Sequence, residues 1–296
     1  MVDGILNINK DLHMTSHDVV AKIRKLLKQK RVGHTGTLDP EASGVLPICV
    51  GQATRVAEYL SESGKAYQAT ITFGTVTDTY DAEGVVVRTA DISALTLEQI
   101  EAALPHFQGA QQQLPPRYSA IKIQGQPAYK LARAGAEITL EPRPIEIHTL
   151  EILGWEKPHL TLAVSCSKGT YIRSLAYDLG EYLGFGAYLT GLIRTRSGPF
   201  VLAESVTLAQ LASAQEQNNL QQYLFPADFA LQNYPALHLD EALTQRVMHG
   251  NAFAYADPTI AEQAEMGRVY GSNGQFLAIA NWDAELQLWK PRKVLV

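Results

Sequence analysis

Apolar residues at Tyr67, Ala69, Ile71 and Phe73 alternate with polar ones in KAYQATITFGT (65–75), and this period of two predicts a strand with one buried face. The turn-rich TDTYDAEG and a second run, VVVR, follow, so a hairpin-like unit is expected. Upstream, DGILNIN (3–9) reads as a short strand. The period then changes: Val19, Val20, Ile23, Leu26 and Leu27 recur at helical spacing, with Thr15 or Ser16 placed to cap a helix reaching about Lys30. Lys22, Lys25 and Lys28 fall on its opposite side as a basic stripe. Further on, 96–107 reads as a helix capped by Thr96, and HLTLAVSCS (159–167) as a strand. A second amphipathic helix buries Ile172, Leu175, Ala176 and Leu179 and carries Arg173 at its start. GAYLTGLIRTRSGPF (186–200) reads as a strand, and a helical, acidic stretch runs on to about 233.

Two segments break this rhythm. Residues 109–147 contain Pro115, Pro116, Gly125, Pro127, Pro142 and Pro144, which interrupt regular structure. There Arg117, Lys122, Lys130, Arg133 and Arg143 alternate with Tyr118 and Tyr129, a mixture suited either to a nucleic-acid backbone and its bases or to a plain surface hairpin. From about 236 the apolar runs shorten, and FLAIANW and LQLWKPRKVLV read as strands. The expected organisation is a larger mixed α/β (α+β) domain over 1–235, a linker near Asn233–Tyr234–Pro235, and a small β-rich domain over 236–296.

Composition narrows the class. A chain of 296 residues, 46% hydrophobic and 19% charged, suits a soluble globular protein, and no apolar stretch reaches the ~20 residues that span a bilayer. The N-terminus lacks the basic start and apolar core of a secretory signal. Cys49 and Cys166 sit in apolar, strand-like contexts and read as buried reduced thiols, so a cytoplasmic location is expected. The net charge of −5 argues weakly against nucleic acid, but its distribution argues otherwise: residues 1–34 hold seven Lys/Arg against three Asp, a local balance of 7 − 3 = +4. Residues 75–104 and 204–265 hold the compensating acids.

Candidate chemistry concentrates in GHTGTLDPEASGVLP (33–47), where one carboxylate, Asp39, sits among turn-forming and small residues. Pro40 biases Asp39 toward an extended conformation, and Thr35, Thr37 and Ser43 can bond the local backbone. Two readings fit: a structured turn with a capping Asp, or a catalytic carboxylate held rigidly for reaction. Asp78, Asp81 and Glu83 lack calcium-loop spacing and read as turn chemistry rather than metal ligands. His13 and His17 are four apart with no third ligand in view, and read as surface histidines. The segment 33–47 lacks the GK[ST] of a P-loop, and the chain has no CxxC pair and no HExxH.

Five blocks in order resemble the TruB family of bacterial tRNA pseudouridine(55) synthases: GHTGTLDPEASGVLP, KAYQATITFGTVTDTYDAEG, LPPRYSAIKIQGQPAYKLARAG, CSKGTYIRSLAYDLG and the GLIR segment. The tail resembles the family's PUA-like RNA-binding domain. One block departs. Where the family reads KPxGxTS, this chain reads KDLHMTS (10–16), with Asp11 for the proline and His13 for the glycine, which puts the local loop geometry in question.

The resemblance implies a pseudouridine-synthase fold, a mixed and largely antiparallel sheet flanked by helices, with residues 109–147 as an RNA-gripping thumb. It implies isomerisation of the T-loop uridine at tRNA position 55, with Asp39 as nucleophile, Arg173 paired to it, and Tyr67 stacked on the uracil and available for the closing proton transfer. Leu192 is implied to pack near the base and His34 to hold the T-loop open. Tyr171, Lys10, Lys122, Lys130, Arg133, Lys168 and Arg194 are implied to contact the RNA. The reaction is redox-neutral, so no metal or organic cofactor is implied. The partner expected is the tRNA T stem-loop, without membrane, guide RNA or obligate protein partner; the long thumb favours the stand-alone bacterial type over the guided archaeal and eukaryotic type. A non-catalytic RNA-binding or tRNA-folding chaperone on the same scaffold is the main alternative. A carboxylate hydrolase would need a second carboxylate near Asp39, and Glu41 is the only close candidate.

Overall fold

The computed structural model describes residues 2–61, 63–119, 121–123, 125–136, 138–255, 257, 259–260 and 264–295; the side chains of Pro127, Tyr129 and Arg133 also lie outside the described residues. The chain opens with β1 (Gly4–Lys10), then α1 (Ser16–Leu27), the short β2 (Val32–His34), β3 (Ala42–Val50) and α2 (Ala57–Ser61). Thr15 caps α1 through a reciprocal capping box with Asp18. The helix ends at Leu27, short of the expected Lys30, because Lys28 turns left-handed (φ 51°). Val19, Val20 and Ile23 are buried, and the Lys22, Lys25 and Lys28 stripe is exposed. The loop expected over 33–47 is shorter than its composition suggested: pairing of β2 and β3 claims both ends and leaves 35–41 as the connection.

Next come β4 (Lys65–Phe73), the hairpin of β5 (Thr75–Thr77) and β6 (Val86–Thr89), and α3 (Leu97–Ala103). Tyr67, Ala69, Ile71 and Phe73 are all buried, as their alternation predicts. The excursion over 109–147 has a paired base. Strand β7 (Gly109–Gln113) runs antiparallel to the first residues of β10 (Arg143–Glu156), from Ile147↔Gly109 to Arg143↔Gln113. Between these strands lie β8 (Lys122–Ile123), β9 (Gln126–Pro127) and α4 (Ala128–Arg133). The chain then forms β11 (His159–Cys166), α5 (Ile172–Leu183), β12 (Ala187–Ser197), β13 (Phe200–Val201), α6 (Leu208–Glu216) and β14 (Leu224–Phe225).

Ten of these strands form the central sheet, in the order β14-β1-β3-β12-β4-β11-β10-β7, with β2 added beside β3 and β13 beside β12. Strands β3 and β12 run parallel; the other ladders of this sheet among the described residues are antiparallel. Both faces of β3 are covered, which is why VLPICV reads as a near-continuous apolar run. Leu6, Ile8, Leu46 and Ile48 face the main core with α1 and α5, while Ile5, Val45 and Cys49 face a second cluster. Burial pushes the Cys49 thiol up to about 12 and raises that of Cys166, consistent with packing thiols.

The tail builds a separate four-stranded sheet from β15 (Ala236–His238), β16 (Met266–Tyr270), β17 (Phe276–Asp283) and β18 (Leu288–Val294), with α7 (Glu241–Met248) after β15. Ile279 and Leu295 from this unit enter the second cluster beside Ile5 and Val45, so the two sheets share an apolar seam. Arg268 locks the junction: Nε donates to Tyr234 O at 2.9 Å and Nη1 to Gln232 Oε1 at 2.8 Å, with Asp228 Oδ2 at 3.8 Å.

Candidate active site

The parallel pairing of β3 with β12 sets the site. Leu192 lies opposite Ala42, and Arg194 opposite Gly44. Gly44 adopts φ 102°, and a Cβ there would meet Arg194 O at 2.3 Å, so only glycine lets these backbones approach. On its other side β12 pairs with β4, which puts Arg194 opposite Tyr67 and Leu192 opposite Ala69. The 35–41 loop emerges above this junction and carries Asp39, whose side chain is 42% exposed.

Arg173, one residue into α5 and buried, reaches Asp39 from the far side of the site: Nε stands 3.1 Å from Asp39 Oδ2. Its remaining donors are taken up inside the protein. Nη1 donates to Asp81 Oδ2 at 3.2 Å and Nη2 to Tyr118 O at 3.0 Å. Breaking a buried ion pair by removing one partner costs about 3–5 kcal/mol, so the Asp81 contact fixes the guanidinium in place independently of Asp39. Asp81 was read from sequence as turn chemistry, and it does accept Glu83 N at 3.1 Å; its second oxygen, however, holds the arginine. The signal available in sequence was an extra carboxylate in the turn following the Tyr67 strand.

The loop is held by backbone-directed side chains. Ser16 Oγ donates to Leu38 O at 3.1 Å and accepts from Leu38 N at 2.9 Å. Lys10 Nζ donates to Met14 O at 2.7 Å, Asp11 O at 2.8 Å and Pro40 O at 3.4 Å. Arg194 Nε donates to Val45 O at 2.6 Å, and its two terminal nitrogens to Gly36 O and Thr37 O. Ser61 Oγ donates to Thr35 O at 2.7 Å. Lys10 and Arg194 were expected among the RNA contacts, but they are 0% and 1% exposed and their donors are committed to carbonyls, so they brace the loop instead. Burial lowers Lys10 to about 8, against the pull of Asp39, and lowers Arg194 as well.

A cavity of about 340 Å³ opens beside Asp39, lined among others by Tyr67, Lys168, Tyr171, Arg173, Leu192 and Lys65. Burial pushes Tyr67 up to about 12, opposed by the Arg194 guanidinium beside it, so it presents a neutral phenol. Lys65, unnoticed in the sequence, is buried and lowered to about 8 by burial and by Arg194. Gln113 clamps the Tyr171 backbone, accepting from its N–H at 2.8 Å and donating to its O at 3.0 Å.

His34 ends β2 and lies outside the lining of this cavity. Its ring meets that of His17 edge-on at 5.4 Å, and burial, His17 and Arg194 all lower its pKa, which keeps the imidazole neutral at pH 7. Its Nδ1 has no partner in the structure. Lys122 and Lys130 are exposed on the excursion, away from the cavity lining; the side chain of Arg133 lies outside the described residues. His13 and His17 do not converge: His13 pairs with Glu41, and His17 with His34. Among the described residues, no group of His, Cys, Asp or Glu is arranged to hold a metal ion, and no helix is long and apolar enough to cross a membrane.

The chain matches the TruB family pseudouridylate synthase N-terminal domain over residues 24–172. It matches a tRNA pseudouridylate synthase B C-terminal domain over 173–232 and a pseudouridine synthase II TruB C-terminal domain over 235–295. It is similar to the tRNA pseudouridine synthase B of Symbiobacterium thermophilum, at 50% identity over 85% of this chain and 83% of that one. The protein of the same name from Pseudomonas putida is 43% identical over 99% of this chain and 96% of its own. That from Bacillus pumilus is 42% identical over 100% and 98%. Among solved structures, a Cbf5-Nop10-Gar1 complex superposes with a TM-score of 0.75 at 26% identity, covering 99% of this chain and 85% of the other. A carboxylate on a braced loop, paired to a buried arginine above a nucleoside-sized cavity, thus sits in a chain that belongs to the TruB family of pseudouridine synthases.

Proposed function

We propose that this chain converts uridine to pseudouridine in tRNA, at position 55 of the T-loop, acting without a guide RNA and with Asp39 as nucleophile. The observation that carries the reading is the pairing of Asp39 with Arg173 at the mouth of a cavity walled by Tyr67 and Leu192. The guanidinium holds the carboxylate in place beside the cavity. Asp39 attacks C1′ of the target nucleoside as the bond from C1′ to N1 breaks; the freed uracil turns within the cavity, and C5 bonds to C1′ as the bond from C1′ to Asp39 breaks. Loss of the C5 proton, matched by protonation of N1, completes an isomerisation that neither gains nor loses atoms. Tyr67 offers its ring for stacking on the base and Leu192 an apolar wall. The Tyr67 phenol, kept protonated by burial, can release its proton only where Arg194 offsets the phenolate.

The target base is stacked in folded RNA and must leave that stack to reach the cavity. His34, neutral and stacked edge-on against His17 at the end of β2, is the residue we assign to holding the opened loop. Exposed Lys122 and Lys130, with the α1 lysines, support phosphate contact. The tail unit supports a further RNA contact of the PUA-like kind.

The test is Asp39→Asn assayed on an unmodified T-arm transcript with no other component. Wild type is expected to form pseudouridine, while the variant loses at least about three orders of magnitude in rate, as expected for a nucleophile, and still binds the RNA. Turnover that survives the substitution would remove Asp39 from the chemistry, and an inactive wild type would favour a guided or purely RNA-binding role.

A further inference from the structure

Where the chain departs from its family's KPxGxTS pattern, the geometry points to His13 as a positioning residue for Asp39, acting through an imidazole–carboxylate clasp with Glu41. This rests on the proposed role of Asp39.

His13 occupies the glycine position of that pattern and retains a glycine-like backbone, with φ 59°. A residue with a side chain pays a steric penalty there, so the conformation persists because the surroundings hold it. Two contacts do so. His13 N donates to Pro40 O at 2.8 Å, a bond that glycine could also make. His13 Nδ1 lies 2.8 Å from Glu41 Oε1, a contact that glycine could not make. Pro40 and Glu41 are the two residues directly after Asp39. On the other side, Leu38 is gripped by Ser16 through both its N–H and its carbonyl. The nucleophile is therefore pinned before and after itself, and the histidine extends the second grip by one residue.

His13 and Glu41 stand outside the lining of the cavity of about 340 Å³, while Glu41 borders a smaller recess shared with Asp39, Arg173 and Leu192, so the clasp reaches Asp39 through the loop. Side chains of His13 and Glu41 are 76% and 39% exposed, so the interaction is weak in itself. Its effect is expected in catalysis because small displacements of a reacting group cost rate steeply.

The experiment compares wild type, His13→Gly, Glu41→Ala and the double variant. Single-turnover rate on the unmodified T-arm, RNA Kd and thermal midpoint are measured for each. His13→Gly keeps the backbone bond and relieves the left-handed residue, so folding is preserved. Each single variant is expected to react about two- to fivefold more slowly, matching a weak surface pair, with Kd and midpoint unchanged. The double variant is expected to react no more slowly than the slower single one, because both remove the same contact. Wild-type rates in either single variant, losses that multiply in the double variant, or a loss in Kd rather than rate would each overturn the clasp. Because wild type must first be active in the same assay, failure of the broader catalytic reading shows separately.

Discussion

Arg173 and Lys10 show two ways a buried cation can serve one loop. Arg173 remains paired inside the protein through Asp81 and the Tyr118 carbonyl, and offers only Nε to Asp39. Lys10 spends its ammonium on three carbonyls and, among the described residues, has no carboxylate within bonding distance. Burial lowers Lys10 from the ordinary lysine value to about 8. Between about pH 8 and 10.5 the unfolded chain keeps that proton while the folded chain has lost it, so the penalty for burying the charge, present in full below pH 8, disappears as pH rises. Urea unfolding of wild type against Lys10→Met is therefore expected to shift in favour of wild type from pH 7 to pH 10, by on the order of 1–3 kcal/mol. The loop responds in the opposite sense. A neutral amine has one donor fewer for the three carbonyls, so the single-turnover rate is expected to fall through the same range while stability recovers.

At the scale of elements, legibility followed locality. The buried face of α1 and the alternation of β4 were plain in the sequence because each depends on residues a few positions apart. Strand β10 was not read beyond residue 147, because its ladder with β11 shifts register after Ile147 and again after Ile152, breaking the period of two. Asp81 looked like a turn residue because the partner that gives it a second role, Arg173, lies 92 positions away. Lys10 and Arg194 looked like RNA contacts because charge in a sequence carries no sign of burial. The α1 stripe, by contrast, is exposed as expected. If Lys22, Lys25 and Lys28 meet phosphates, T-arm affinity falls steeply with salt, and replacing all three by Gln lowers the slope of log K against log salt by about 2–3. Titrations between 50 and 200 mM salt, taken as about the useful range, check this; an unchanged slope would assign the stripe to solvent.

At the scale of the whole molecule, the central sheet and the tail sheet are joined by an apolar seam and a polar lock. Ile279 and Leu295 enter the cluster around Ile5 and Val45, and Arg268 ties β16 to Tyr234, Gln232 and Asp228. Further ties are Lys293 to Glu58 at 3.2 Å, and Arg55 to the Val294 carbonyl. Arg268→Ala leaves Asp228 with one partner fewer and is expected to destabilise the tail unit by about 2–4 kcal/mol. Trp282 and Trp289 both belong to that unit, so their fluorescence should change at lower urea than the far-UV signal of the whole chain. Coincident transitions in the variant would show that the lock contributes little.

The sheet also has a consequence in time. Strand β1 is the first to leave the ribosome, yet Ile5 pairs with Phe225, and at typical elongation rates about 10–40 s separate their synthesis. For most of that interval Asp39 has been made but Arg173 and Arg194 have not, so neither its partner nor the arginine part of the brace on its loop exists. A growing chain therefore carries Asp39 in an unassembled site, and the proposed competence toward RNA arrives only after β12 has been synthesised and has closed beside β3.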